Sequence, residues 1–201
     1  MIKKFFIVIF IAAASFTVNA QSAFQNGDIA LNAGIGLGWG YSGGYTGTGL
    51  SSLAPIPSFN ASLEVGIIDL PNVGVISVGG FGSFRTTWDR GNSSVYGVYY
   101  DYDYSYRNAI VAARGVFHFG FFDTGGFDLY AGIHSGVRFS SYSYTIDYGG
   151  IITDYEDTDS QAYFVHDVFA GARWMTSDKF GFFAELGYGI SYLKAGITLK
   201  F

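Results

Sequence analysis

No cysteine occurs in these 201 residues, and only three are proline. Whatever stability the chain has in an oxidising compartment, it reaches without disulfides. Basic residues are scarce as well, with 11 Lys and Arg against 16 Asp and Glu. That balance argues against nucleic acid as a partner, because a nucleic-acid surface needs a basic footprint. Beyond the first twenty residues there is no amphipathic helical pattern and no apolar run long enough for a transmembrane helix. What abounds is Gly (29), Tyr (16) and Phe (20), a composition poor for helices and good for strands.

The first twenty residues, MIKKFFIVIFIAAASFTVNA, read as a cleaved signal peptide. Lys3 and Lys4 precede an apolar run from Phe5 to Ala14, and Val18-Asn19-Ala20 forms a small-x-Ala site. No cysteine follows that site, which excludes a lipid-anchored lipoprotein. The remaining residues, 21–201, are expected to form one domain. Nine basic residues then face sixteen acidic ones, a net charge of −7. An exported, strand-rich chain of this kind is either a transmembrane barrel or a soluble sandwich.

Alternation decides between them. The chain ends in LKAGITLKF, where Leu193, Ala195, Ile197, Leu199 and Phe201 are apolar and the residues between them are small or polar. A period of two marks one face of a strand. The same period predicts strands over 27–40, 58–67, 73–88, 106–119, 127–139, 162–175, 180–188 and 192–201. Long connections at about 41–56, 89–105 and 140–161 take turns with the short ones DLPN, FFDTGG and SDK, and a brief GIS closes the series. Loops sorted by length onto opposite ends are the signature of a membrane barrel.

The faces agree. Opposite the apolar face lie mostly Gly, Ser, Asn and Thr with a few charges, as a narrow lumen requires. An Arg or Lys turned toward lipid near the midplane would cost roughly 2–4 kcal/mol. Glu64, Arg85, Arg114, His118, His134, Arg138, Asp167, Arg173, Glu185, Lys194 and Lys200 are therefore assigned to the lumen. Trp39, Trp88, Phe139, Tyr188 and Tyr192 would form one interfacial girdle. Phe117, Phe119, Phe127, Trp174, Phe180 and Phe201 would form the other.

Signal peptide, eight strands, alternating loops and a terminal Phe together resemble the small outer-membrane β-barrel proteins of the OmpA/OmpX/OmpW type, including their porin-like relatives. The stretch ARGVFHFGFFDTGGFDLYAGIHSGVRF is similar to a strand–turn–strand pattern common among them. The resemblance implies an all-β, eight-stranded, antiparallel, up-and-down transmembrane barrel in the outer membrane of a diderm bacterium, with both termini in the periplasm. It also implies that Leu193, Ala195, Ile197, Leu199 and Phe201 form the insertion signal read by the barrel-assembly machinery. Membrane lipid and lipopolysaccharide would surround the barrel.

Chemistry is sparse. Counted from the periplasmic ends, Glu64, Arg114 and Glu185 fall at similar depths, and so do His134, Asp167 and Lys194. They read as ion pairs plugging a narrow lumen, or alternatively as the lining of a channel for ions or small solutes. An enzyme is not expected. His134 and His118 each have glycine two residues on, His166 faces lipid, and no serine accompanies the His134/Asp167 pair. No cofactor or metal is expected, since the acidic run at 154–159 lacks the glycine and ligand order of a calcium loop. The segment VYYDYDYSY places Tyr99, Tyr100, Tyr102, Tyr104 and Tyr106 in the second long loop. It reads either as a partner-binding stripe on a hairpin projecting beyond the membrane or as a deep interfacial girdle. The function expected is structural or surface-interacting, through the extracellular loops.

Overall fold

The computed structural model describes residues 24–38, 57–120, 126–148 and 155–201. The expected signal peptide, Trp39, the loop at 41–56 and most of the FFDTGG turn lie outside the described residues. Eight antiparallel strands run in chain order: β1 (Ile29–Leu37), β2 (Ser58–Leu70), β3 (Gly74–Val95), β4 (Val98–Phe119), β5 (Phe127–Asp147), β6 (Tyr155–Met175), β7 (Phe180–Tyr188) and β8 (Leu193–Lys200). Each pairs with its sequence neighbours, and β8 returns to β1, so the sheet is a closed barrel. Closure runs from Ala30 opposite Lys200 to Leu37 opposite Leu193. Phe201 completes it, exchanging backbone hydrogen bonds with Ile29 at 2.9 and 3.1 Å. Among the described residues no strand edge is left in the apolar zone, which lipid could not satisfy.

Alternation places one set of side chains outside and the other inside. Leu31, Ile35, Phe59, Leu63, Val78, Val111, Ile133, Val168, Phe182, Leu186 and Ile197 are exposed on the exterior, while Asn32, Glu64, Ser77, Arg114, Asp167, Arg173 and Lys194 are buried in the interior. A sheet with apolar residues outside and ion pairs inside is inverted relative to a water-soluble protein. The exterior belt is a lipid-facing surface. Phe139, Trp88, Tyr188 and Tyr192 lie exposed toward one end of this belt, with Phe127 and Phe201 toward the other. Both described chain ends sit beside the short turns: Gly27 N–H donates to the Gly66 carbonyl, and Lys200 N–H to the Lys179 carbonyl.

Two of the expected loops are largely strand. β3 and β4 are 22 residues each and β5 and β6 are 21, against 9 for β1 and β7. The 89–105 segment is a continuous hairpin paired from Asp89 opposite Tyr104 to Val95 opposite Val98. Its turn, Tyr96-Gly97, has φ of 52° and 84°, the doubly positive geometry of a tight hairpin. Within 140–161, β5 continues to Asp147 and β6 begins at Tyr155. The apolar phase stops at the membrane boundary, so polarity reads as loop. Yet Tyr, Thr and Ser at alternating positions keep the backbone extended. These four strands project as a sheet, with residues 85–95 of β3 extending about 35 Å past the end of β2 at the usual rise per residue.

Candidate functional site

The barrel interior is crossed by one connected set of charges. Arg114 on β4 reaches two carboxylates on opposite walls: its Nε donates to Glu64 on β2 at 3.0 Å, and its Nη2 to Glu185 on β7 at 2.7 Å. Glu64 also accepts from Arg173 on β6, which in turn donates to Asp128 on β5 at 3.1 Å. Lys194 on β8 bridges Glu185 at 3.1 Å and Asp167 at 3.2 Å. His134 links the halves, with Nδ1 3.2 Å from Asp167 and Nε2 2.9 Å from Arg114. The Tyr130 hydroxyl donates to Glu185. Four carboxylates thus meet three cations and the His134 imidazole with almost no solvent exposure. Mutual pairing is the inexpensive way to hold such groups in a low-dielectric interior, although Asp167 Oδ1 and Arg173 Nε are buried without a hydrogen-bond partner.

Rings separate the charges from both ends. Phe169 stacks on His134 with centroids 4.5 Å apart, and the Arg114 guanidinium lies 4.3 Å from the Phe169 centroid. Toward the hairpin end, Phe81, Ile110, Ala112, Val165 and Ile190 form an apolar layer. Ile190 belongs to the brief Gly189–Ser191 turn, which folds inward and buries it. At the other end Phe24 enters the mouth, stacks on His118 at 4.1 Å and lies 5.4 Å from the Arg173 guanidinium. Gly66 makes this possible: a Cβ there would come within 2.5 Å of the Gln25 carbonyl oxygen.

The expected lumen residues divide into two groups. Glu64, Arg114, His134, Asp167, Arg173, Glu185 and Lys194 come together in the network. Arg138 lies apart, buried with its guanidinium 4.9 Å from the Tyr163 ring. Arg85 is half-buried, opposite Asn108 in the register. Lys200 pairs with Asp28 at 3.2 Å at the mouth. Sequence reasoning missed Asp128, Tyr130 and Phe24. Asp128 and Tyr130 share the even phase of His134 and Arg138, and extending that phase to the start of β5 would have found them. Phe24 precedes the first strand and carries no periodic signal.

A second omission is chemical. Ser77 Oγ lies 3.1 Å from His118 Nε2, while His118 Nδ1 lies 2.9 Å from Asp128 Oδ2. The spacing check along single strands could not see this Ser–His–Asp arrangement, because its members sit on β3, β4 and β5. This arrangement is closed off from solvent. Ser77 has no exposed surface, Phe24 covers His118, and Asp128 is held by Arg173. Among the described residues there is no group of three or more His, Asp and Glu able to hold a metal.

Above the mouth, the inner phase of β4 continues as Tyr106, Tyr104, Tyr102 and Tyr100, while Tyr99 points to the other face and is exposed. Tyr104 stacks on Tyr144 of β5 with centroids 4.2 Å apart and planes at 17°. Tyr102 meets Tyr104 edge-on, Tyr100 leans on Tyr148, and the Tyr142 hydroxyl donates to Asp157 at 2.9 Å. Burial, and the hydrogen bond with Tyr104, push the Tyr144 phenol above the ordinary tyrosine value. Four of the five expected tyrosines thus share the inner phase of the projecting sheet.

A closed eight-stranded sheet, apolar outside and ion-paired inside, defines a small transmembrane β-barrel protein. No protein-family model matches this chain, and no curated protein does. It is similar to solved structures of Ail, the attachment invasion locus protein of Yersinia pestis. One of these, in complex with the heparin analogue sucrose octasulfate, is 19% identical over 88% of this chain and 100% of that one, with a TM-score of 0.42. It is also similar to the N-terminal β-barrel domain of Pseudomonas aeruginosa OprF, at 13% identity over 90% of this chain and 100% of that domain, again with a TM-score of 0.42.

Proposed function

We propose that this chain is an integral outer-membrane protein of a diderm bacterium whose lumen is closed and whose projecting sheet meets partners outside the cell. Residues 1–20 are removed as a signal peptide and residues 21–201 form the single domain. Both termini and the short turns face the periplasm, and the tyrosine-paved sheet faces outward. Leu193, Ala195, Ile197, Leu199 and Phe201 present the assembly machinery with an outward apolar strand that ends on an aromatic. The protein is not an enzyme and needs no cofactor.

The observation that carries this reading is the pairing of Arg114 with Glu64 and Glu185 across the lumen. A channel for ions or small solutes needs a column of unpaired charge or a wet path. Here the cations are committed to carboxylates, between the Phe24 stopper and the Ile190 layer. With transport disfavoured, the part built to meet something is the projecting sheet. Tyrosine offers broad contact area at low entropic cost. The test replaces residues 91–102 with Asn-Gly, which keeps Arg90 and Asp103 in register and shortens the hairpin. The intact barrel in nanodiscs should bind members of a protein and glycan array that the equally folded short-hairpin form does not. Identical binding by the two forms would remove the role given to the sheet.

A further inference from the structure

The exterior carries a built groove at the hairpin-side border of the apolar belt. One transverse row of outward residues reads Phe84, Ala109, Phe139 and Ala162 across β3 to β6, large and small in alternation. The next row outward reads Thr86, Arg107, Ser141 and Ser160. Phe84 and Phe139 are about half exposed and stand on strands two interstrand spacings apart, about 10 Å, with Ala109 as the floor between them. The groove they bound has a volume of about 350 Å³. Arg107 and the hydrogen-bonded Ser141 and Ser160 hydroxyls, 3.2 Å apart, close its polar end.

Arg107 is the anomaly that gives the groove a ligand. Of the nine basic residues in 21–201, Arg85, Arg114, Arg138, Arg173 and Lys194 are directed inward. Arg90 is paired with Asp103, Lys200 with Asp28, and Lys179 belongs to a turn at the opposite end. Arg107 points outward, is exposed, and forms no ion pair among the described residues. An outward cation just above an apolar trough matches an anion carried on hydrocarbon. A guanidinium suits phosphate because it offers several N–H donors in a fixed fork. We infer that the Phe84–Ala109–Phe139 trough with Arg107 binds a phosphorylated, multi-acyl lipid of the leaflet on the hairpin side. One acyl chain lies on Ala109, and the phosphate meets Arg107 and the Ser141 and Ser160 hydroxyls.

This site rests on the reading of the chain as an outer-membrane barrel, but its test does not depend on where the sheet's partners are. Refolded barrel (residues 21–201) in detergent is mixed with the diphosphorylated disaccharide lipid A, and retained lipid is counted by native mass spectrometry. Wild type should retain one lipid A. Arg107→Gln should weaken retention about tenfold, as loss of a charge-assisted hydrogen bond does. Ala109→Phe, which fills the floor and keeps the charge, should weaken it separately, and inorganic phosphate should not compete. Both substitutions lie on the outer surface, and heat-modifiable migration on gels confirms folding. Equal retention by wild type and both variants would overturn the site and leave only nonspecific annular lipid. Effective competition by inorganic phosphate would reduce it to an anion site without an acyl component.

Discussion

Arg114 and Glu185 meet at 2.7 Å in the centre of the barrel, 71 residues apart in sequence, each with at most 2% of its side chain exposed. Glu64 and Glu185 both depend on Arg114, with Arg173 and Lys194 as their remaining cations. Breaking a buried pair by removing one partner typically costs about 3–5 kcal/mol. Arg114→Leu should therefore lower the urea midpoint of the refolded barrel in lipid vesicles strongly. A double-mutant cycle with Glu185→Gln should give a coupling between about 0.5 and 3 kcal/mol. A coupling near zero would mean the pair is not formed.

Phe24 should behave as a core residue although it precedes the first strand. It is 3% exposed and packs with Ala30 and Val75. Phe24→Ala should destabilise by about 3 kcal/mol, the lower end for burying and then deleting a phenyl ring. Gly66→Val should act in the same direction by displacing Gln25 and Asn26 from the space a Cβ would need. Unfolding curves that leave both variants unchanged would show that the stopper does not dock.

Much of this architecture was legible in the sequence, and the parts that were not share one physical reason. Period two is written strongly where one face meets lipid, so the lumen charges of β2, β5, β7 and β8 could be read directly, while in β4 and β6 the charges themselves had to choose the phase. Above the membrane both faces of the sheet are polar, and the contrast that marks a strand disappears. Thr145 opposite Glu156 and Asn92 opposite Asp101 are paired strand residues that read as loop. Contacts between strands, such as Ser77–His118–Asp128, depend on register, which no single segment specifies. Phe24 and Ile190 sit in irregular backbone, where periodicity says nothing.

Tyr144 offers a pH test outside the membrane. Its phenol is pushed above the ordinary value by burial and by Tyr104, so the folded sheet holds this proton more tightly than the unfolded chain. The stabilisation is complete below about pH 10, where the unfolded phenol begins to ionise, and is lost as pH rises further. Spectrophotometric titration should find a late-ionising phenol that Tyr104→Phe shifts downward. A titration unchanged by Tyr104→Phe would disconnect the stacked pair.

Phe201 closes the sheet against Ile29, so its truncation should act on assembly before stability. Cells producing Phe201→Ser should accumulate chain in the periplasm, with a smaller heat-modifiable fraction in the outer membrane. Full insertion of the variant would separate the terminal ring from the assembly signal.

Closure of the lumen is the claim on which the functional account stands, and current through a single barrel tests it most directly. Residues 21–201, refolded and shown to be heat-modifiable, should give no steady openings in a planar bilayer. Phe24→Ala combined with Arg114→Ala should begin to conduct. Steady openings by the unmodified barrel, with an ion preference altered by Glu64→Gln, would contradict the account and make the paired charges the lining of a path.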